Sequence, residues 1–353
     1  MTNLNQWQPM TRAFVRACQE AGIPYNPDFN GPRQEGAGTY QVTVRNSKRC
    51  SAAVGYLKPV LDRPNLTLVT GCLVNRVIME NGRATGVEYF QKQARVVVRA
   101  ESEVLVTSGA IGSPKLMLLS GIGPAAHLQE VGVDVIHDLP GVGENLQDHF
   151  GVDIVAELNG PHSLDRYNTW FWKAWSGLEY SLFKSGRVAS NVVEGGGFWY
   201  SKEGLEKPDL QFHFLAAAGA EAGVPTVPSG ECGITMNSYN MRPKARGSVR
   251  LRSDNPSDHP LVDPNFLGHP DDVKRTVEGV KLSVDVFNQP SLQKFIREIR
   301  FPDAQVKTQA DLEAYARQYG RTSYHPTGAC KMGVDDMAVV DPFMRVHGID
   351  GLR

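Results

Sequence analysis

Two stretches of this sequence carry side chains and turns suited to chemistry. Residues 324–333 (YHPTGACKMG) form a tight segment with His325 at its head, and Pro326 and Gly328 restrict the backbone behind it. An imidazole titrates near neutrality, so a histidine held in this way suits proton transfer to and from a bound molecule. Taken alone, the same residue also reads as a surface or satisfied core histidine. The other stretch, residues 104–123 (VLVTSGAIGSPKLMLLSGIG), runs from a short β-branched segment through a small-residue turn into an apolar helix. Ser113 is placed to N-cap that helix, Pro114 suits its first position, and Gly121 suits its stop, which predicts a helix over residues 115–120. Free N–H groups at such a corner take phosphates and cofactors. An ordinary strand-to-helix corner has the same letters.

Residues 140–149 (PGVGENLQDH) invite comparison with the dinucleotide fingerprint GxGxxG, and the comparison fails. Leu146 stands where the third glycine belongs, and Pro140 precedes the turn where a strand should run straight in. Dinucleotide binding is not assigned to this segment.

The elements that must position these stretches follow from pattern. Apolar residues at helical spacing predict a helix over 7–21, stopped by Gly22 and Pro24. Residues 39–45 alternate as a strand, and 51–61 read as a short helix. A β meander is expected over 65–99, with Asn81-Gly82 as a hairpin turn, completing a sheet that contains residues 104–107. A helix over 125–131 and a strand over 134–139 follow. Residues 170–183 (WFWKAWSGLEYSLF) read as an aromatic helix used in core or lid packing. Strands are expected at 210–215, 233–239 and 248–253, and amphipathic helices at 270–298 and 308–319.

A chain of 353 residues fits two domains, or one large domain with an insertion. Apolar residues at 41% and charged residues at 21% describe an ordinary globular protein, and a net charge of −1 points away from nucleic acid. Five scattered cysteines, never spaced CxxC, predict reduced thiols in an intracellular compartment and no zinc site. With no signal peptide and no long apolar run, the expectation is a cytoplasmic protein without a transmembrane segment, peripheral attachment to the inner membrane staying open.

Several segments together resemble the glucose–methanol–choline (GMC) family of flavin-dependent oxidoreductases. GAIGSPKLMLLSGIGP is similar to the family's second signature and PGVGENLQDH to the segment after it. RNSKRCSAAVGYL and RPNLTLVT resemble its upstream portion, and YHPTGACKMG its catalytic-histidine segment. RPKARG leans toward the choline dehydrogenase and alcohol dehydrogenase branch and away from the family's hydroxynitrile lyases. The resemblance implies an α/β FAD-binding domain, an incomplete Rossmann-like core with a β meander, plus an α+β substrate domain with an antiparallel sheet and helices. The corresponding limits are 1–149 for part of the FAD domain, 150–320 for the substrate domain, and 321–353 for the return to the first.

The implied chemistry is oxidation of a primary alcohol by hydride transfer to FAD, with electrons passed to an acceptor other than a nicotinamide. His325 is then the catalytic residue that handles the hydroxyl proton, and His149 reads as structural. Glu194, in VVEGGGF, is placed to face the substrate and complement a quaternary ammonium, or only to order the glycine turn. Val74, Thr107, Ser108 and Gly109 are the implied FAD contacts. The family's opening GxGxxG and a closing segment bearing a partner for the histidine are not found in this sequence. It therefore reads as an internal fragment or a truncated gene product, and the alternative function is a remnant unable to hold FAD.

Overall fold

The computed structural model describes residues 2–4, 7–219 and 225–353, and the chain divides into two compact units. The first comprises Met1–Leu66, His149–Arg242 and Pro270–Ser323; the second comprises Thr67–Asp148, Pro243–His269 and Tyr324–Arg353. This division differs from the expected one in where residues 1–66 and 243–269 belong. The reason is long-range pairing, which no local pattern records. Gly36–Thr39 pairs with Gly195–Trp199 in the first unit, whereas Ser248–Arg250 pairs with Leu261–Asp263 in the second.

The first unit is built on a seven-stranded sheet. Gly36–Thr39, Gly195–Trp199, Leu210–Leu215, Gly233–Asn240, Phe150–Leu158 and Ile296–Phe301 follow one another antiparallel, and Arg321–Thr322 also pairs with Phe150–Leu158. Directly opposed residues share a face. Phe214, Met236 and Ile154 therefore form one row, and all three are fully buried. The Pro9–Glu20 helix covers this row by stacking Phe14 on Phe214 at 4.4 Å between ring centroids. The Pro270–Phe287 helix packs beside it, and Gly279 lets it approach closely, since a Cβ there would overlap Ser238 Oγ.

That helix ends at Phe287 rather than running on to 298, because Pro290 cannot continue it and disfavours helical backbone in the residue before it. Pro290–Gln293 makes a short separate helix, and the strand Ile296–Phe301 follows. Residues 39–45 are divided between Gly36–Thr39 and Val44–Arg45, and 51–61 form a π turn and a 3₁₀ turn. The Trp170–Phe183 helix forms as expected, but its aromatic side chains are not core: Trp170, Phe171, Trp175 and Phe183 are each more than half exposed.

In the second unit, Cys72–Glu80, Arg83–Gln91 and Ala94–Arg99 form a three-stranded meander. Asn81 and Gly82 both take positive φ, as a two-residue primed hairpin turn requires. Val104 does not join this sheet. It forms a parallel bridge with Leu352, and Arg83 forms another with Asp350, so the C-terminal residues link two segments expected to pair with each other. The helix expected over 115–120 starts earlier, at Gly109, and runs to Leu119. Gly109, at φ +83°, turns the chain in one residue. Pro114 then sits inside the helix with an already helical φ, at the cost of the bond its missing N–H would have made to Ala110. Gly121, at φ +77°, follows the helix as expected. The strand expected over 134–139 shrinks to His137–Asp138, paired in parallel with Ile122–Gly123. Leu116, Met117 and Leu118 join Val77, Leu128 and Val339 in the core.

His127, on the short Ala125–Glu130 helix, accepts the Leu251 N–H at Nε2 over 3.0 Å. Burial, with the nearby Arg250 charge, pushes this imidazole below its ordinary value. A folded-state pKa below the unfolded one gives stability that is present above about pH 6.5 and is lost as the pH falls toward the lowered value. Amide exchange at Leu251, corrected for intrinsic rate, is therefore expected to accelerate on acidification below about pH 6.5. His127→Gln should flatten that dependence; an unchanged slope would contradict the assignment.

Among the described residues, no helix is long and apolar enough to cross a membrane.

Candidate active site

The segment headed by His325 lies in the second unit on residues 143–148, which in turn lie on residues 247–249. Gln147 and Thr327 exchange both backbone hydrogen bonds at 2.9 Å, and Gly143 N–H donates to Ala329 C=O at 2.9 Å. On the other edge, Leu146 and Gly247 exchange bonds at 2.9 and 2.8 Å, and Val249 N–H donates to Gly143 C=O. Three stretches far apart in sequence, GENLQD, GSV and YHPTGA, thus form one local ladder. Gly328 is obligatory in it: its φ is +95°, and a Cβ would come within 2.5 Å of Asn145 C=O.

His325 sits just outside the paired part. Tyr324 before it is left-handed at φ +61°, and Pro326 after it has no N–H. The His325 N–H is met by a side chain: Asp148 Oδ1 accepts it at 2.9 Å. Asp148 is buried, whereas His325 is exposed. An exposed imidazole on an anchored backbone can exchange a proton with a bound molecule.

The expected cofactor contacts lie in the same unit. Thr107, Ser108 and Gly109 are exposed where the Gly109–Leu119 helix begins. No side chain caps that end and no acidic residue stands in its first turn, so no side-chain charge of the helix offsets the positive end of its dipole. A Cβ on Gly109 would meet nothing within 4 Å. Val74 is 36% exposed on the Cys72–Glu80 strand, beside a shift of pairing register between Val74 and Arg76. Thr107 and Met117 line a mainly apolar cavity of about 510 Å³ together with Cys330, five residues beyond His325 in the chain. Cys330 Sγ lies 3.9 Å from Met117 Sδ, and burial pushes its thiol up to about 12, so it packs there as a neutral group.

Glu194 belongs to the first unit and is 1% exposed. Its carboxylate accepts from Gln8 N–H at 2.8 Å, Thr11 Oγ1 at 3.0 Å and Ser190 Oγ at 2.7 Å. Those donors tie the start of the Pro9–Glu20 helix to the turn at Ser190, a wider anchoring than ordering the glycines alone. Glu194 also borders a cavity of about 150 Å³ with Gln8, Ser190 and Lys184. His149 belongs to the first unit as well.

Sequence reasoning missed Asn145, Asp148 and Arg246. Arg246 Nε donates to Asn145 Oδ1 at 3.0 Å, and Asn145 Nδ2 donates to Gly328 C=O at 3.1 Å. The signal was there in GENLQD and RPKARG: polar side chains beside glycine, where side chain–backbone bonds replace a regular ladder.

Two profiles of GMC oxidoreductases match the chain, one over residues 1–151 and one over residues 243–353. It is 42% identical over 347 residues to an oxygen-dependent choline dehydrogenase of Sinorhizobium medicae, covering 98% of this chain and 63% of that protein. The figures for the Brucella ovis protein of the same name are 43%, 98% and 63%. Among solved structures it resembles a formate oxidase variant of Aspergillus oryzae RIB40, with a TM-score of 0.89 and 25% identity over 98% of this chain and 64% of that one. Pyridoxine 4-oxidase from Mesorbium loti shares the fold, with a TM-score of 0.87 and 24% identity over 99% of this chain and 65% of that one. The chain thus spans slightly under two thirds of the length of these relatives. With the two matches together spanning most of its residues, the chain belongs to the GMC oxidoreductase family.

Proposed function

We propose that this chain acts as part of an FAD-dependent oxidoreductase that converts a primary alcohol, choline-like or aliphatic, to the aldehyde, with His325 taking up the hydroxyl proton. The observation that carries the reading is the histidine's setting: its imidazole is exposed while its backbone is anchored by Asp148 and the Gln147–Thr327 pair. FAD, when bound, supplies the hydride acceptor, and electrons then pass to an acceptor other than a nicotinamide. Thr107, Ser108 and Gly109 would hold it through their backbone N–H groups, with Val74 as a further backbone contact. The open space at Gly109 and the uncapped helix start fit that role.

Removing the hydroxyl proton lets the carbinol carbon release its hydride, so a base aligned with the hydroxyl lowers the barrier to C–H cleavage. The anchored backbone around His325 fixes the position from which the imidazole extends, which narrows the space in which it meets a bound hydroxyl.

Glu194 is assigned to offset the charge of a quaternary ammonium. Its internal hydrogen bonds keep the carboxylate fixed in place at the border of a cavity. Glu194→Gln is expected to raise KM for choline on the order of tenfold, about 1.4 kcal/mol, the scale of one charge–charge attraction at a few ångströms between the limits of bulk water and protein surface, and to leave KM for an uncharged alcohol nearly unchanged. Equal effects on both substrates would remove Glu194 from substrate recognition.

The direct experiment adds FAD to the purified chain, removes excess and follows the oxidised-flavin band anaerobically as choline is added. Retained flavin that bleaches with choline is the expected result. Failure to retain flavin, or a band indifferent to every primary alcohol, would defeat the proposal.

A further inference from the structure

Resting on the reading of His325 as the proton-handling group, we infer that Asp148 and Asn145 are positioning residues for it, with Arg246 setting the orientation of Asn145. The two side chains hold the histidine segment at two points. Asp148 Oδ1 accepts the N–H of His325 at 2.9 Å, and Asn145 Nδ2 donates to the C=O of Gly328 at 3.1 Å. Between these points only the Gln147–Thr327 pair is regular ladder.

Each bond meets a need that the backbone does not satisfy. Left-handed Tyr324 and imino Pro326 place the His325 N–H outside the ladder, where a buried carboxylate gives a charge-assisted bond stronger than a neutral one. Gly328 is also left-handed, and its C=O is taken by an amide instead of a strand neighbour.

An amide can present either its oxygen or its nitrogen. Arg246 Nε, donating to Asn145 Oδ1 at 3.0 Å, selects the orientation that turns Nδ2 toward Gly328. Arg246 is itself fixed, donating to the carbonyls of Pro243 at 2.7 Å and Ala245 at 2.9 Å, while its own C=O accepts from Asn265 Nδ2 at 3.0 Å. The physical link between RPKARG and the histidine is therefore a side-chain relay, Arg246 to Asn145 to Gly328. None of the three side chains needs to touch a substrate for their loss to matter, because a small displacement of an aligned base already costs on the order of a hundredfold in rate.

The test compares Asp148→Ala, Asp148→Asn and Asn145→Ala in the full chain, with His325→Ala alongside. Hydrogen exchange at residues 325–328 reads the clamp without requiring turnover. Asp148→Ala should speed exchange at His325 at least tenfold and Asp148→Asn, which keeps an acceptor oxygen, should largely restore protection. Choline-dependent flavin reduction should fall about 10–100-fold in Asp148→Ala and Asn145→Ala with KM within about threefold, and the pH profile of kcat/KM should move. Asn145→Ala keeps the measurement open if Asp148→Ala fails to fold. Unchanged exchange at 325–328 in both alanine variants would overturn the clamp whatever the activity. Faster exchange with unaltered kcat and pH profile would leave these residues merely structural, and so would also overturn the inference. Full activity in His325→Ala would instead strike the functional reading, while the exchange data would still judge the clamp.

Discussion

Replacing His325 with alanine is expected to reduce choline-dependent flavin reduction by about 10²–10⁴-fold, the usual share of a positioned general base. Nothing else in the second unit should change much, because the imidazole is exposed, and the His325 N–H bond to Asp148 and the Thr327 bonds with Gln147 are made by the backbone. Flavin retention is therefore the necessary control: His325→Ala should hold FAD as the parent chain does. An effect confined to KM would mean that His325 binds substrate without handling its proton. An enzyme that lost flavin along with activity would place His325 in cofactor retention.

The second large effect is on stability and falls in the other unit. Phe214→Ala is expected to cost about 3–5 kcal/mol, because it removes a fully buried ring from a packed row. Phe214 lies between the sheet and Phe14, in line with Met236 and Ile154, so neighbours on both sides lose contacts and a cavity remains. All five tryptophans, Trp7, Trp170, Trp172, Trp175 and Trp199, belong to the first unit, so urea unfolding followed by their fluorescence reports on that unit alone. The midpoint should fall sharply, while Phe214→Leu, which keeps most of the volume, should cost much less. Equal midpoints for Phe214→Ala and the parent chain would contradict the packing described.

Strands and helices whose pattern is local are legible in the sequence with correct kind and close limits: Leu210–Leu215, Gly233–Asn240 and Gln309–Tyr319 are examples. The hairpin at Asn81-Gly82 follows from the one backbone conformation that dipeptide favours. Pattern and structure part where two local rules compete. At Pro114, the preference of proline for the first helical position loses to a glycine able to start the turn at residue 109. In the Trp170–Phe183 helix, a side-chain pattern that usually means burial lies largely exposed.

By its letters alone the sequence determined the family and most of the regular elements, because long ordered motifs and short-range periodicity are properties of neighbouring residues. Only the tertiary structure decided which segments share a unit. It put Gly36–Thr39 in the seven-stranded sheet and residues 243–269 in the histidine's unit, and it paired Val104 with Leu352 in place of the meander. It also decided how His325 is held. Bonds from Asp148 to His325 and from Asn145 to Gly328 span gaps of well over a hundred residues, and no pattern confined to neighbouring residues records a contact between positions so far apart.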